Sequence, residues 1–262
     1  MNVGTRTSFQ VQRDVVYALL LREIASRFGK SRVGFFWVLV EPIAHLVFPI
    51  AVFGFALGRA VPGVDYPVFL VYGFIPFLLF KTICLQTMDG PKTNRGLLSY
   101  RQVLLMDVFV AKALAHCAVS AVVFAVVLVG LAMLGFDVLP PRPIELAGVL
   151  VLSVARAFGL GMLFAALGSL SADLKSIARL VFVPLYFISG ILFPVSRFSP
   201  EWVSWLALNP VLHLVELSRF AAIENYTPIE QANAGYPVAI ALACIFGGLA
   251  LYRLRWLSRV TA

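Results

Sequence analysis

The order of apolar and polar positions along the chain predicts six membrane-spanning helices. Crossing a hydrocarbon core of about 30 Å takes about 20 apolar residues in helix. Six stretches are long enough, at about 34–58, 66–88, 104–135, 144–170, 177–195 and 236–255. The region 34–262 is therefore predicted to be an all-α, polytopic transmembrane domain.

The segment before the first span has helical periodicity but does not fit a simple up-and-down bundle of spans. Its apolar side chains recur at three- and four-residue steps, and its charged side chains lie mostly elsewhere around the helix. The apolar positions are Val15, Val16, Leu19, Leu20, Ile24 and Phe28. Within the N-terminal region 1–33, the pattern predicts an amphipathic helix from about Phe9 to Phe28 along the cytoplasmic membrane interface.

A second irregular segment, about 196–235, separates the last two spans. Ser199-Pro200-Glu201 has the residues of a helix start, and Asn209-Pro210 ends that helix before another runs from Val211 to Ile223. Each piece has about 10 to 13 residues and is too short to cross a bilayer. We expect a re-entrant helical hairpin that dips into the outer leaflet.

Composition excludes a water-soluble fold. Hydrophobic residues make up 61% and charged residues 13%, whereas soluble domains have roughly 45–50% and about 25%. The net charge of +8 raises the question of nucleic acid, but the 21 basic residues fall in clusters between the apolar runs. That distribution is typical of membrane proteins, and we expect no nucleic-acid partner.

The basic clusters also predict the orientation, because connections rich in Lys and Arg stay in the cytoplasm. Most basic residues lie before the first span, in the second and fourth connections, or at the C-terminus. On the opposite side the sequence has only Arg59, Arg142, Arg197 and Arg219. Both termini are therefore expected in the cytoplasm.

Motifs for catalysis and for nucleotide binding are incomplete. Gly29-Lys30-Ser31 imitates the end of a phosphate-binding loop, but Ile24 occupies the place of the required earlier glycine. His213-x-x-Glu216 lacks the second histidine of a metalloprotease, and His45 and His116 stand alone in spans. We expect packing histidines, no catalytic residue, no metal site and no cofactor in this chain.

The connection between the second and third spans, about 90–102, is the candidate contact with a partner. It begins with Gly-Pro and places apolar and basic side chains together, so it could form a small exposed helix that fits a partner's groove. The residues concerned are Arg95, Gly96, Leu97, Leu98, Ser99, Tyr100 and Arg101. A solvated basic loop is the alternative.

Lys81 and Arg156 lie inside predicted spans. A charge in hydrocarbon costs several kcal/mol unless it is paired or hydrated, so each is a candidate for a translocation path. Pairing with Glu41, Asp89 or Asp107, or snorkelling to the membrane surface, is the alternative for both.

A series of motifs runs in order over nearly the whole chain. The entry to the first span carries Arg22-Glu23, the run from Arg27 to Gly34, Trp37 and Glu41-Pro42. Further motifs are Gly73-Phe74-Ile75-Pro76-Phe77, Asn94 to Tyr100, Ser189 to Pro194, and Asn209-Pro210-x-x-His213-x-x-Glu216-x-x-Arg219. Together they resemble the membrane subunits of ABC-2 polysaccharide exporters, and more specifically the permeases of bacterial capsular polysaccharide export. The entry motif is shared with exporters of O-antigen and teichoic acid.

The resemblance implies a homodimer in the bacterial inner membrane that works with two separate ATPase subunits, which bind ATP and Mg. It implies that Arg95 to Arg101 form a coupling helix and that about Pro200 to Ile223 form a periplasmic gate. The gate residues would be Trp202, Trp205, Asn209, Pro210, His213, Glu216 and Arg219.

The resemblance to capsule exporters further implies a lipid-linked acidic polysaccharide as cargo. It implies a periplasmic adaptor of the polysaccharide co-polymerase type and an outer-membrane polysaccharide channel as partners. Arg27, Lys30 and Arg32, with Trp37, would form an entry rim that attracts phosphate or carboxylate groups. The same cations also satisfy the orientation rule.

Three alternatives remain open at this point. O-antigen or teichoic acid export uses the same architecture. An intramembrane enzyme acting on lipid-linked sugars would turn over substrate without ATP. A structural scaffold would leave surface glycans unchanged when deleted.

Overall fold

The structure is a computed structural model that describes residues 7–28, 40, 43–54, 63–169 and 171–260. Those residues form nine helices, which confirms the predicted all-helical fold. They are α1 (Ser8–Phe28), α2 (Ile43–Val52), α3 (Tyr66–Thr93), α4 (Leu105–Met133), α5 (Pro143–Leu167), α6 (Ala172–Ile188), α7 (Pro200–Leu206), α8 (Pro210–Ala222) and α9 (Gly235–Val260). A π-helical turn, Ile50–Gly54, ends α2.

Four of these helices are long and apolar enough to cross a membrane: α3, α4, α5 and the part of α9 from Gly235 to Leu254. They coincide with the second, third, fourth and sixth predicted spans. Of the first predicted span, 34–58, the structure describes residue 40 and residues 43–54, which include α2. Four of the six predicted spans are therefore present as helices of spanning length among the described residues, and the count of six stays a prediction.

The fifth predicted span, 177–195, is helical over different bounds. α6 begins earlier, where the Ser171 hydroxyl accepts a hydrogen bond from the Asp173 N–H at 3.1 Å. It ends at Ile188 because Gly190 takes a backbone φ of +67°, which stops a right-handed helix. α6 therefore has 17 residues, fewer than the roughly 20 that a straight span needs.

α3 is the central helix of the bundle and packs against α4, α5 and α8, while α9 packs against α5. Glycines bring the helices close. A Cβ atom at Gly159 of α5 would lie 2.6 Å from the Ile245 backbone nitrogen of α9, and one at Gly161 would lie 2.6 Å from Thr87 Cβ of α3. Such contacts between small residues are the usual basis of helix association in membranes.

The Gly-Pro pair does not end α3, as the sequence suggested it would. The helix continues through Gly90 and Pro91 to Thr93. Proline removes one backbone donor, which a helix packed among others tolerates. The connection to α4 therefore shortens to the residues from Asn94 to Leu104.

The two short helices predicted between the last spans are present as α7 and α8. Ser199 precedes Pro200 at the start of α7, and Asn209 Oδ1 accepts a hydrogen bond from the Val211 N–H at 3.0 Å at the start of α8. These starts confirm the predicted ones. The re-entrant position of the pair stays a prediction.

Candidate functional site

A cavity of about 970 Å³ lies between α2, α3, α4 and α6. Its described walls are mixed, with aromatic rings from all four helices and a smaller set of polar side chains. The polar set comprises His45, Lys81, Thr82, Gln86, His116 and Ser120. A space of this size, lined mainly by apolar groups with a few polar ones, has the character of a ligand-binding pocket.

Lys81 lies in the wall of this cavity, where α3 passes the middle of the bundle. Two of the carboxylates considered as its partners are engaged elsewhere. Asp89 pairs with Arg179 at 2.7 Å. Asp107 accepts hydrogen bonds from Gln12 Nε2 and the Leu104 N–H, each at 2.9 Å. Glu41, the third, lies outside the described residues.

Arg156, the other predicted path residue, is buried in the helix core and is not among the residues that line the cavity. Its guanidinium carbon lies 4.0 Å from the centre of the Phe80 ring. The Phe80 ring in turn contacts Phe182, a cavity residue, at 5.5 Å between ring centres. Arg156 Nη1 has no hydrogen-bond partner among the described residues. Its role in a path stays a prediction.

Arg219 of α8 is fully buried and fastens three segments together. Its Nε donates to the Phe69 carbonyl of α3 at 3.1 Å. Nη1 and Nη2 donate to the carbonyls of Gly190 and Ile191, just beyond α6, at 2.9 and 2.7 Å. The guanidinium also lies over the Phe69 ring, 3.5 Å from its centre. One side chain thus holds α3, the end of α6 and α8 in register.

Glu216 is the buried counter-ion of Arg219, with 3.5 Å between its Oε1 and Arg219 Nη1. It accepts hydrogen bonds from the Tyr226 hydroxyl at 2.9 Å and from the Ile229 N–H at 3.2 Å. Burial raises the pKa of the Tyr226 phenol; the Arg219 cation lowers it and the Glu216 carboxylate raises it further. The phenol therefore keeps its proton and donates to Glu216.

His213 joins the turn before α8 to the segment before α9. Its Nδ1 accepts a hydrogen bond from the Asn233 N–H at 3.1 Å, so Nε2 carries the proton and donates to the Ala207 carbonyl at 2.7 Å. Asn209 Nδ2 donates to the Ser189 hydroxyl at 2.9 Å. His213 is thus a packing histidine, as predicted.

Trp202 and Trp205, the predicted gate aromatics of α7, are exposed, with 64% and 71% of their surface accessible. Both lie on the outward face of a short helix whose Val203 is buried. Pro210 occupies the first position of α8. The structure therefore brings the predicted gate residues into one region, with the polar ones inside and the tryptophans outside.

The predicted coupling segment forms a single 3-10 turn, Leu97–Ser99, rather than a longer helix. Tyr100 is its most prominent apolar group, with 64% of its surface exposed. Leu97 and Leu98 are half-buried and pack in a cluster around Leu19 of α1. Arg95, Gly96, Ser99 and Arg101 are exposed around them.

Three polar contacts tie α1 to this turn and to the start of α4. Arg22 Nη2 donates to Asn94 Oδ1. Gln12 donates to Asp107, the carboxylate that also caps α4. Lys112 Nζ lies 3.0 Å from Glu23 Oε1 in a largely buried ion pair. Part of the apolar face of α1 therefore packs on protein, and α1 and the turn form one unit.

Three of the predicted entry residues, Lys30, Arg32 and Trp37, lie outside the described residues, and Arg27 lies in the last turn of α1. The sequence reasoning missed the ion pair of Glu23 with Lys112 and the partnership of Tyr226 with Glu216. Asp107, three residues after the N-cap residue Leu104 of α4, carried a local capping signal. A pairing across 89 residues carries none.

Comparison with known proteins finds one family and several full-length relatives. The family described as ABC-2 type transporter matches residues 14–222. The polysialic acid transport protein KpsM of Escherichia coli is 35% identical over 257 residues, which are 98% of this chain and 99% of KpsM. The capsule polysaccharide export inner-membrane protein CtrC of Neisseria meningitidis serogroup B is 24% identical over 245 residues, 93% of this chain and 92% of CtrC.

A relative named for a different cargo matches a smaller share of the chain. The O-antigen export system permease protein RfbA of Myxococcus xanthus is 25% identical over 223 residues, 82% of this chain and 83% of RfbA. All three relatives are transport or export proteins. The matched region includes the cavity, the turn that carries Tyr100, and Arg219.

Proposed function

The chain belongs to the ABC-2 type transporter family, and we propose that it is the membrane-spanning subunit of an exporter that moves capsular polysaccharide outward across the bacterial inner membrane. The observation that carries this function is the 35% identity to KpsM over 98% of the chain. Other relatives are named as inner-membrane proteins of capsule polysaccharide export.

The cavity between α2, α3, α4 and α6 is part of the proposed translocation path. Aromatic rings such as those of Phe77 and Tyr186 line it, and flat rings of this kind stack well on the apolar faces of sugars. Lys81 supplies a positive charge for an acidic glycan. Arg27, Lys30 and Arg32, with Trp37, are the proposed entry rim for the lipid-linked end of that cargo.

The energy for export is proposed to come from two separate ATPase subunits that bind ATP and Mg, so this chain is not itself an enzyme. The docking surface is the turn from Asn94 to Leu104, where Tyr100 stands out from a basic surface. Because α1 is fastened to this turn through Arg22, a movement of the turn is transmitted directly to α1. Both termini then face the cytoplasm, on the ATPase side.

The complete path is proposed to form between two copies of the chain. α6 has few contacts within the subunit and exposes apolar side chains, among them Leu180 and Val183. A second copy would cover such a surface. On the periplasmic side, the α7–α8 pair is the proposed gate, next to an adaptor of the co-polymerase type and an outer-membrane channel.

Deletion of the gene, followed by analysis of glycans and lipids, tests this function. We expect lipid-linked capsular polymer to accumulate inside the cell while the surface is bare, and the complemented strain to recover. A deletion strain with normal surface capsule and no internal polymer would refute the proposal.

The likeness to RfbA favours O-antigen export as the second candidate. It predicts the same architecture and the same ATPase requirement but a different cargo. Accumulation of O-antigen in place of capsule in the deletion strain would select it.

A further inference from the structure

We infer that Lys81 is the binding site for a single oxyanion of the cargo, a phosphate or a carboxylate, inside the cavity between α2, α3, α4 and α6. The inference rests on the proposed export function and adds to it the group that the site recognises. Lys81 here selects for charge, whereas the aromatic walls accept any sugar face.

The charge balance of the cavity points to an anion. Among the described residues that line it, Lys81 contributes a full positive charge and none contributes a carboxylate. Of the three acids considered as partners for Lys81, Asp89 binds Arg179 and Asp107 caps α4, while Glu41 lies outside the described residues. An oxyanion that enters the cavity would form a charge-assisted hydrogen bond with the Lys81 ammonium.

Polar groups on α3 and α4 line the part of the cavity nearer the Thr93 end of α3. Thr82 and Gln86 follow Lys81 on α3, and His116 and Ser120 face the same cavity from α4. Thr82, Gln86 and Ser120 supply further hydrogen-bond partners for the oxygens of a phosphate or carboxylate. The arrangement therefore suits a polar headgroup rather than a bare hydrocarbon chain.

Several aromatic rings of the cavity lie toward the Tyr66 end of α3. Phe74 and Phe77 precede Lys81 on α3, Phe124 follows Ser120 on α4, and Tyr186 lies near the end of α6. The end of α6 lies toward the same end of α3 because the Tyr66 hydroxyl donates to the Leu192 carbonyl. A ligand that carries an anionic group beside sugar rings or a lipid chain would match this order of polar and aromatic side chains along the cavity.

Binding to the purified full-length chain in phosphatidylcholine nanodiscs tests the inference. Three probes separate the possible sources of the oxyanion. Dihexanoyl phosphatidylglycerol offers a lipid phosphate, oligosialic acid offers sugar carboxylates, and maltoheptaose is a neutral sugar. The variants are Lys81→Gln and Lys81→Arg, with Lys175→Gln as the matched control, because Lys175 is a similarly half-buried lysine outside the cavity.

We expect at least one anionic probe to bind more tightly than maltoheptaose. Lys81→Gln should weaken that probe about tenfold or more, the usual effect of removing a charged hydrogen-bond partner. Lys81→Arg and Lys175→Gln should keep most of the affinity. If Lys81→Gln weakens binding of dihexanoyl phosphatidylglycerol, the site binds the lipid anchor. If Lys81→Gln weakens binding of oligosialic acid, the site binds the glycan.

Two results would overturn the inference: wild-type affinity of Lys81→Gln for both anionic probes, or equal losses with Lys81→Gln and Lys81→Arg. Thermal unfolding of the same samples controls for folding, and Lys81→Gln should unfold no earlier than the wild type. Failure here leaves the export function standing, since that function is tested separately by deletion and complementation.

Discussion

The Arg219 guanidinium of α8 occupies the space that a side chain at Gly73 of α3 would need. A Cβ atom at Gly73 would lie 2.9 Å from Arg219 Cζ and closer still to Nη2. The absence of a side chain at Gly73 lets the guanidinium lie against α3 and reach the carbonyls of Phe69, Gly190 and Ile191. The fit between a glycine and a buried arginine therefore holds α3 to α8 and to the end of α6.

Gly73→Ala should displace the Arg219 guanidinium and lower the free energy of unfolding by about 3–5 kcal/mol, the range found when a buried ion pair is broken. Thermal unfolding of the purified protein in detergent measures this. Gly148→Ala in α5 is the matched control, because a Cβ atom there meets nothing within 4 Å. The control should be neutral or slightly stabilising. Equal unfolding temperatures for the two variants would contradict the assigned contact.

Arg219 and Glu216 should show strong coupling in a double-mutant cycle. Arg219→Gln leaves the Glu216 carboxylate buried without its cation, and Glu216→Gln does the reverse, so each single variant should lose about 3–5 kcal/mol of stability. The double variant should lose less than the sum of the two, because neither charge is then left alone. Unfolding temperatures in one detergent give the cycle, and additive losses would show that the residues act independently.

The buried ion pair between Glu23 and Lys112 should be required to keep α1 on α4. Glu23→Lys or Lys112→Glu places two like charges in a largely buried contact, and each should release α1 and stop export. The exchange of both residues restores opposite charges and should recover much of the lost function. Surface capsule in complemented deletion strains measures the effect.

Arg13→Glu is the control for this pair, because Arg13 forms an exposed ion pair with Asp14 on the same helix. An exposed pair contributes roughly 0–1 kcal/mol, so this variant should export normally. If the double exchange exports no better than either single variant, export does not depend on the Glu23–Lys112 ion pair.

The sequence predicted the elements whose signals are local. The starts of α7 and α8 follow from Ser199-Pro200 and Asn209-Pro210, and α1 follows from the period of its apolar residues. Each depends on side chains within one or two helical turns of the signal. The Gly90-Pro91 pair wrongly predicted the end of α3. Tertiary packing lets α3 continue through a proline that would end an isolated helix.

The residues of the candidate site also differ in whether the sequence around them carries a local signal. Lys81 was recognisable because a charge inside an apolar run stands out by itself. The hydrogen-bond acceptors of Arg219 were not, because all three are backbone carbonyls, two at Gly190 and Ile191 and the third 150 residues away at Phe69. A backbone carbonyl is present at every position and carries no sequence signal.

Substitutions at Tyr100 and Leu97 should have different effects, because the Tyr100 side chain is exposed and the Leu97 side chain is half-buried. Tyr100→Ala removes an exposed ring from the proposed ATPase surface and should weaken ATPase binding by about 2 kcal/mol, or about 30-fold, with no change in unfolding temperature. Leu97→Asp introduces a charge into the cluster around Leu19 and should loosen α1 as well. Co-purification with the ATPase measures the first effect, and protease sensitivity of α1 measures the second.

Tyr17→Ala is the matched control for Tyr100, since Tyr17 is a similarly exposed tyrosine, 60% accessible, on α1 away from the turn. It should leave ATPase binding intact. Equal ATPase binding by the Tyr100 and Tyr17 variants would move the docking surface away from the turn. A Leu97→Asp variant with an uncleaved α1 but no bound ATPase would instead place Leu97 itself in the docking contact, because the cluster would then have absorbed the charge without opening.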